Sequence, residues 1–307
     1  MLSAMDGNPL QTIARITARG QRSILVALAG VVAITLLVTA ATAADYKGPI
    51  IDVHSHLPNA RAIEAYVDAM KRHNVVKVVL LGVGGVQKDD LAWITVAARK
   101  HPTRVIAGLP LPNPASDAAA EQLESALRKT GARVIGEAHV RQVSRKIDRD
   151  PSDGPFSRVL DVAGKRGVPV VIHDELDERA TAALATALAG HPNTTVILAH
   201  GGSATPAQLQ TLLGKHPNLL VDLSGMHFQR TPALASEIGP LDPAWKALIQ
   251  KMPERFMMGL DVWAPRLFEP AMLDRLMTWT RRILGELKRD AAERVAYRNA
   301  AALFHVE

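Results

Sequence analysis

Short runs of apolar, often β-branched residues recur along the chain from residue 49 onward. They lie at residues 49–54, 75–83, 104–110, 133–140, 168–173, 194–200, 218–224 and 255–261. Each run is apolar over nearly its whole length, which is typical of strands buried on both faces of a parallel sheet. The pattern therefore predicts eight parallel strands.

The stretches between these runs show the spacing of apolar residues that is typical of helices. They cover residues 60–73, 88–100, 116–130, 155–166, 177–190, 205–215, 242–251 and 271–288, with a last helix near 290–304. Strict alternation of strand and helix predicts an α/β fold, and eight such units predict a (β/α)8 TIM barrel. An open doubly wound sheet is the alternative, but no G-x-G-x-x-G motif follows any of the strands.

Residues 1–44 are predicted to lie outside the barrel. Arg15, Arg19 and Arg22 precede an uncharged run, residues 23–44, in which Ala41-Thr42-Ala43 matches an A-x-A cleavage site. We interpret this segment as a signal peptide, with an uncleaved transmembrane anchor as the alternative. Both interpretations predict an exported, periplasmic or extracytoplasmic protein, tethered to the inner membrane in the second case, with residues 45–307 as the barrel domain.

Composition and charge narrow the classes of function. The chain has no cysteine, which excludes disulfides, thiolate metal sites and cysteine nucleophiles. Its formal net charge of +6 comes without a dense cluster of Lys and Arg, so nucleic-acid binding is not expected. The predicted partner is a small-molecule substrate, the membrane would be met only through the N-terminal segment, and a homo-oligomer is left open.

Polar side chains stand at the C-terminal ends of several predicted strands, which is where the active sites of this barrel lie. They are His54, His56, Glu137, His139, His173, His200 and Asp261. Residues i and i+2 of a strand face the same side, so His54 and His56 can point together into the barrel. Imidazoles and carboxylates without cysteine favour a divalent metal, with zinc preferred over manganese, iron or nickel.

Five segments of the chain resemble a known family. "DVHSHLP", "VVIH", "VILAHGG", "RFMMGLD" and "YRNAAALF" are similar to the metal-dependent amidohydrolase superfamily, in the amidohydrolase type 2 branch, and the resemblance spans residues 48–305. It implies that His54, His56, His173 and Asp261 are metal ligands and that Asp261 also takes the proton from the attacking water. It implies that His200 binds a second metal, contacts substrate or assists proton transfer.

The fourth predicted strand departs from some branches of that family. It lacks the lysine that can bridge two metals, and Glu137 stands where a carboxylate could bridge instead, which leaves one or two ions open. His139 is a candidate substrate contact, as are Arg230, Arg266 and His227 in the loops after the seventh and eighth strands, because arginine near a metal suggests an anionic substrate. The cations after the fourth strand, Arg141, Arg145, Lys146 and Arg149, are interpreted as solvated surface.

The function expected from these residues is a metal-dependent hydrolase. It would act on an amide, lactone or ester bond of a small, possibly anionic molecule through a metal-activated water. A metal-dependent decarboxylase of a small unsaturated or aromatic acid is the alternative enzyme. A binding protein on a retained barrel is a third class, and it fits less well with the full set of polar strand ends.

Overall fold

The computed structural model describes residues 44–83, 89–111 and 113–306. Its strands are β1 Ile50–Ser55, β2 Val75–Leu80, β3 Val105–Ala107, β4 Ile135–Gln142, β5 Ile147–Asp148, β6 Val170–Asp174, β7 Val196–Leu198, β8 Leu219–Asp222 and β9 Phe256–Met257. Its helices are α1 Ala62–Arg72, α2 Asp90–Lys100, α3 Ala119–Thr130, α4 Gly154–Arg166, α5 Glu178–Gly190, α6 Pro206–Lys215, α7 Pro243–Lys251, α8 Pro270–Gly285, α9 Arg289–Glu293 and α10 Asn299–Phe304. All eight predicted strands are confirmed, and β5 is additional.

Eight parallel strands close into a ring. They form one sheet of order β1-β2-β3 and a second of order β4-β6-β7-β8-β9, with β5 at the free side of β4. The gap between β3 and β4 is closed by Leu109, whose N–H donates to the Val134 carbonyl oxygen and whose carbonyl oxygen accepts from the Gly136 N–H. The gap between β9 and β1 is closed by the Val53 N–H, which donates to the Met258 carbonyl oxygen at 3.1 Å. The predicted α/β barrel is therefore formed.

The centre of the barrel is filled by aliphatic side chains of alternate strand positions. Ile51, Val53, Val79, Val171 and Ile197 belong to one buried cluster. The helices bury their apolar faces against the outside of the strands, in a larger cluster that includes Tyr66 and Phe256. A fully buried aliphatic side chain stabilises the fold by about 1.5–3 kcal/mol, so the filled interior leaves the strand ends as the place for polar chemistry.

Two predicted segments differ from the structure. The fourth predicted strand ends at residue 140, but β4 continues to Gln142 and pairs antiparallel with β5, because the extended end of β4 offers backbone groups for pairing. The predicted helix at 290–304 consists of α9, a π-helical turn Arg294–Arg298 and α10. The N-terminal segment lies outside the described residues, and within those residues no helix has the length and apolar character needed to span a bilayer.

Candidate metal centre

The first strand delivers two histidines to the mouth of the barrel. Every residue of β1 is buried, and its pairing with β2 is irregular between Asp52 and Ser55, the stretch of the strand that carries His54. The Asp52 carboxylate accepts hydrogen bonds from Tyr66 Oη at 2.5 Å and from the backbone N–H of Leu260 at 2.8 Å. Burial raises the pKa of Asp52 to about 6, although these hydrogen bonds oppose the shift. Asp52 therefore ties β1 to α1 and to the chain that follows β9.

The two histidines aim their Nε2 atoms at each other. These atoms lie 3.1 Å apart. The Nδ1 atom of His54 is 2.9 Å from a carboxylate oxygen of Asp222, and the Nδ1 atom of His56 is 2.9 Å from the carbonyl oxygen of Leu81. Since both Nδ1 atoms face acceptors, each is the N–H position, and both Nε2 lone pairs converge on one point. Two lone pairs at this distance repel unless a proton or a metal ion lies between or beside them.

Glu137 stands at the centre of the histidines. Its Oε1 atom is 2.9 Å from His173 Nδ1 and 3.1 Å from His200 Nε2. Its Oε2 atom lies 3.7 Å from the Nε2 atom of each of three more histidines, namely His54, His56 and His139. One carboxylate thus contacts imidazoles from four strands or strand ends, which is the arrangement expected of a ligand at a shared cationic site.

Asp261 and His200 approach the same point from later strand ends. Asp261 Oδ1 is 3.6 Å from His56 Nε2, and His200 Nδ1 is 3.0 Å from the carbonyl oxygen of Ser224. Both residues have positive φ, 51° for Asp261 and 56° for His200, a backbone region that non-glycine residues rarely adopt. Gly225 makes room for them, because a Cβ there would lie 2.9 Å from Asp261 Oδ2 and 3.0 Å from His200 Nδ1.

The pKa values of the buried groups show which charges the site favours. Burial acts to lower the pKa of His54, but the carboxylates of Asp222 and Glu137 outweigh it and raise the pKa well above its usual value. Burial acts to raise the pKa of Glu137, but His54, His173 and His200 hold it well below its usual range. The carboxylates are therefore ionised, and they demand positive charge beside His54 Nε2.

A divalent metal ion fits this demand. Within the described residues, three groups have ligand atoms within 4.8 Å of one another. They are His54, His56 and Asp261; His54, Glu137 and His200; and Glu137, His139 and His173. Nitrogen and carboxylate oxygen donors suit zinc, manganese and iron, and the Nδ1 partners Asp222 and Leu81 orient the rings as in known metal sites. Whether one or two ions bind stays a prediction.

The metal-ligand candidates form the floor of a cavity of about 200 Å³. Its lining includes His56, Glu137, His173, His200 and Asp261 from the floor, and Val83, His139, Gln142, Arg145, Arg230 and Trp263 from the walls. This volume is below the roughly 300–1,000 Å³ of pockets that hold drug-sized ligands, so the cavity suits a small molecule.

Two wall residues, His139 and Arg230, were expected to contact substrate, and the structure places both in the cavity lining. Burial lowers the pKa of His139 to about 4, and its Nδ1 atom has no hydrogen-bond partner among the described residues. His139 therefore presents a neutral ring with a free polar atom. Arg230 Nη2 lies 3.4 Å from Asp261 Oδ2, beside the metal-ligand candidates.

The other two expected substrate contacts lie outside the cavity lining. His227 is buried, its Nδ1 atom is 3.3 Å from the backbone nitrogen of Gln229, and its Nε2 atom has no partner among the described residues. Arg266 donates to the Gln229 side chain at 3.3 Å. Their role in substrate binding stays a prediction, and in this structure Gln229 lies between them.

Sequence reasoning missed Arg145 and Glu175. Arg145 is exposed, as expected of a solvated surface cation, and it lines the cavity as well. Glu175 Oε1 is 3.5 Å from His173 Nε2. The available signal was position: Arg145 follows a strand that carries Glu137 and His139, and Glu175 stands two residues after His173, on the same side of the extended chain.

The α/β barrel carries at its mouth convergent histidines and carboxylates that could hold a metal ion. A family model described as "Amidohydrolase" matches residues 51–306, and the chain belongs to that family. This family is part of the metal-dependent amidohydrolase superfamily. The expected family is therefore confirmed. No curated protein matches the chain.

The solved structures that share this fold include enzymes described with different reactions. A dihydroxybenzoic acid decarboxylase from Polaromonas sp. JS666, with bound manganese and the inhibitor 2-nitroresorcinol, has 13% identity and a TM-score of 0.59, covering 84% of this chain and 97% of its own. A 4-oxalomesaconate hydratase from Rhodopseudomonas palustris has 14% identity and a TM-score of 0.58, covering 83% and 95%.

A third similar structure is a probable 2-pyrone-4,6-dicarboxylic acid hydrolase from Acinetobacter baumannii with bound citric acid. It has 14% identity and a TM-score of 0.58, covering 83% of this chain and 99% of its own. At these identities the likeness shows the shared fold. The neighbours therefore include a decarboxylase, a hydratase and a hydrolase.

Proposed function

We propose that the protein is a metal-dependent hydrolase of an amide, lactone or ester bond in a small, anionic molecule. The observation that carries this proposal is the convergence of His54 Nε2 and His56 Nε2, 3.1 Å apart, beside the carboxylates of Glu137 and Asp261. These residues would hold the ion, with His173 and His200 as ligands for a second one. A divalent ion in such a site lowers the pKa of a bound water towards about 7 and polarises a carbonyl group.

The remaining chemistry belongs to side chains of this chain. Asp261 accepts a proton from the attacking water, and its other oxygen is kept near the Arg230 guanidinium at 3.4 Å. The pKa of His200 is raised because Asp261 and Glu137 outweigh the effect of its burial. Where only one ion binds and His200 is not a ligand, His200 can donate a proton to the leaving nitrogen or oxygen when the bond to the carbonyl carbon breaks.

The wall of the cavity gives the substrate its expected character. Arg145 and Arg230 bring positive charge, and Trp263 offers a partly exposed aromatic face. A small molecule with a carboxylate and a hydrolysable carbonyl group satisfies both the volume and the charge.

A second candidate is the metal-dependent decarboxylase of a small unsaturated or aromatic acid. The presence of both Trp263 and Arg145 in the cavity lining favours it, because together they could bind a flat ring and its carboxylate. The decarboxylase from Polaromonas shares the fold. In this case carbon dioxide is released and a proton replaces it on carbon, with His200 as the proton donor.

One experiment separates the two candidates. The purified full-length protein is assayed for metal content, then for turnover of a panel of lactones, esters and amides and for carbon dioxide release from a panel of acids, before and after chelation. We expect chelator-sensitive hydrolysis that returns with added zinc or manganese. Carbon dioxide release without hydrolysis would make the protein a decarboxylase, and activity that survives full metal removal would exclude both proposals.

Asp261→Asn tests the assigned proton acceptor. The amide keeps the size of the side chain and one oxygen donor but cannot take a proton, so we expect turnover to fall by about 10²–10⁴-fold. Asp242→Asn is the matched control, because Asp242 caps α7 away from the cavity and Asn caps helices equally well. Unchanged turnover in Asp261→Asn would remove Asp261 from the mechanism.

A further inference from the structure

The hairpin of β4 and β5 extends the barrel wall over the cavity. Its strands pair Arg141 with Asp148 and Gln142 with Ile147, and a 3₁₀ turn, Val143–Arg145, forms its tip. A β4 strand that ended at the barrel rim would place none of these residues above the metal-ligand candidates. The hairpin instead puts both Gln142 and Arg145 into the cavity lining.

The end of β6 holds the hairpin in place. The Oε2 atom of Glu175 accepts a hydrogen bond from the backbone N–H of Val143 at 3.0 Å, and its backbone N–H donates to the carbonyl oxygen of Arg141 at 3.1 Å. The Oε1 atom of the same carboxylate lies 3.5 Å from His173 Nε2. Glu175 therefore joins the tip of the hairpin to a metal-ligand candidate through the two oxygens of one side chain.

The cations of this segment differ in what they contact. Arg141 is paired with Asp177 at 2.7 Å, and Arg149 donates to the carbonyl oxygen of His139 at 2.6 Å. Arg145 contacts only the neutral side-chain oxygen of Gln142, at 3.3 Å, and has no ion pair with any described residue. Arg145 thus brings to the cavity lining an exposed charge that has no ion-pair partner among the described residues, whereas the charge of Arg230 is partly offset by Asp261.

We propose that the β4–β5 hairpin is the specificity element of the site, in which Arg145 binds a carboxylate of the substrate and Glu175 is a positioning residue. The proposal rests on the proposed function, because it assigns a substrate group to the same cavity. A guanidinium binds a carboxylate through two parallel N–H bonds, and Gln142 limits the side-chain positions from which Arg145 can do so.

The first test measures binding without turnover. Calorimetric titration of the full-length, metal-loaded protein uses two acids and their neutral amides of equal size, namely benzoate with benzamide and butanoate with butanamide. We expect at least one acid to bind more tightly than its amide. Arg145→Gln should weaken binding of the acid by about tenfold to a hundredfold and leave the amide unaffected, while Arg145→Lys should keep part of the preference.

Lys146→Gln is the matched control for the first test. Lys146 is the next residue of the same hairpin and is exposed like Arg145, but it does not line the cavity, and its loss changes the net charge equally. We expect the affinity for the acid to change less than about twofold in this variant, since Lys146 lies outside the cavity lining and solvent screens its charge at that distance. If Arg145→Gln and Lys146→Gln weaken binding equally, or if the acids bind no better than the amides, the proposal is wrong.

The second test concerns Glu175. Glu175→Ala removes the side-chain contacts to the Val143 N–H and to His173 Nε2. The hairpin tip then loses its side-chain anchor, and the affinity for the acid should fall as in Arg145→Gln. In the double variant the second change should add little, because both act on the same contact. Glu175→Gln keeps an oxygen that can accept from Val143 and should restore most of the affinity for the acid. Fully additive losses would show that Glu175 does not position Arg145.

These outcomes are separate from those of the proposed function. Acid binding that depends on Arg145, together with no hydrolysis of any ester, lactone or amide, would support the hairpin and contradict the hydrolase. Metal-dependent hydrolysis with unchanged acid affinity in Arg145→Gln would support the hydrolase and contradict the role of the hairpin.

Discussion

At the scale of single residues, the site depends on partners that never touch the cavity. Asp222 is fully buried, accepts from Ser224 Oγ and lies 2.9 Å from His54 Nδ1. Burial acts to raise the pKa of Asp222, but His54 outweighs it and lowers the pKa. An ionised Asp222 fixes the His54 tautomer and makes its Nε2 a better metal donor.

We therefore expect Asp222→Asn to weaken metal binding by about 10–100-fold while the fold is kept. Asparagine can still accept the Nδ1–H bond of His54 but lacks the negative charge. The affinity is measured by competition between the protein and a chromogenic zinc chelator, with circular dichroism as the check of folding. Metal affinity equal to that of the unchanged chain would mean that the charge of Asp222 has no part in the site.

Replacement of Asp52 is expected to change the stability of the fold. Its carboxylate accepts from Ser55, Tyr66 and two backbone N–H groups, all in the buried interior. Asp52→Ala leaves these donors without an acceptor, and each unsatisfied buried group costs about 1–3 kcal/mol. We expect the free energy of unfolding to fall by about 3 kcal/mol or more in chemical denaturation. A loss below about 1 kcal/mol would contradict this account.

At the scale of elements, the turn after β8 decides whether the strand ends can meet. Gly225 has φ +65°, and a methyl group on it would lie within about 3 Å of Asp261 and His200. Gly131, the C-cap of α3, has φ +62° with nothing within 4 Å of such a methyl group. An alanine would strain the backbone at either position, but only at Gly225 would its methyl group also crowd the site.

Gly131→Ala should therefore cost about 1–2 kcal/mol of stability and leave metal affinity unchanged. Gly225→Ala should cost a similar backbone term and also lower metal affinity by at least about tenfold, because Asp261 and His200 must move. Thermal unfolding and the chelator competition measure the two effects separately. Equal metal affinities in both variants would show that the space beside Gly225 is not needed.

Sequence patterns predicted the elements better than the contacts. Continuous apolar runs identified the strands, and alternation placed His54, His56 and Glu137 at their ends. The central position of Glu137 among five histidines depends on how the closed ring brings distant strands together, which local patterns do not contain. The place of Arg145 beside the cavity depends on the hairpin and on its anchor Glu175, neither of which leaves a periodic signal.

At the scale of the whole molecule, the site joins the beginning and the end of the barrel. His54 and Asp222 are separated by 168 residues, and the Asp52 contact to Leu260 spans 208. An ion bound there should stabilise the whole domain by mass action, by about 4 kcal/mol at a free metal concentration a thousand times the Kd.

We expect added zinc or manganese to raise the Tm of the protein and chelation to lower it. His56→Gln should show little of this shift, because the glutamine amide is a poorer ligand than imidazole. Differential scanning calorimetry at several metal concentrations gives the measurement. An equal shift in His56→Gln would place the stabilising ion elsewhere.

The closure between β1 and β9 also has a kinetic meaning. Asp261 donates its backbone N–H to the His54 carbonyl oxygen at 2.7 Å, so the ligand set is complete only when the first and last strands have met. Contacts of such long sequence separation form late and slowly, because the entropy of closing the loop must be overcome first. Metal capture during refolding should therefore follow the appearance of secondary structure, and the ion would report the final closing of the ring.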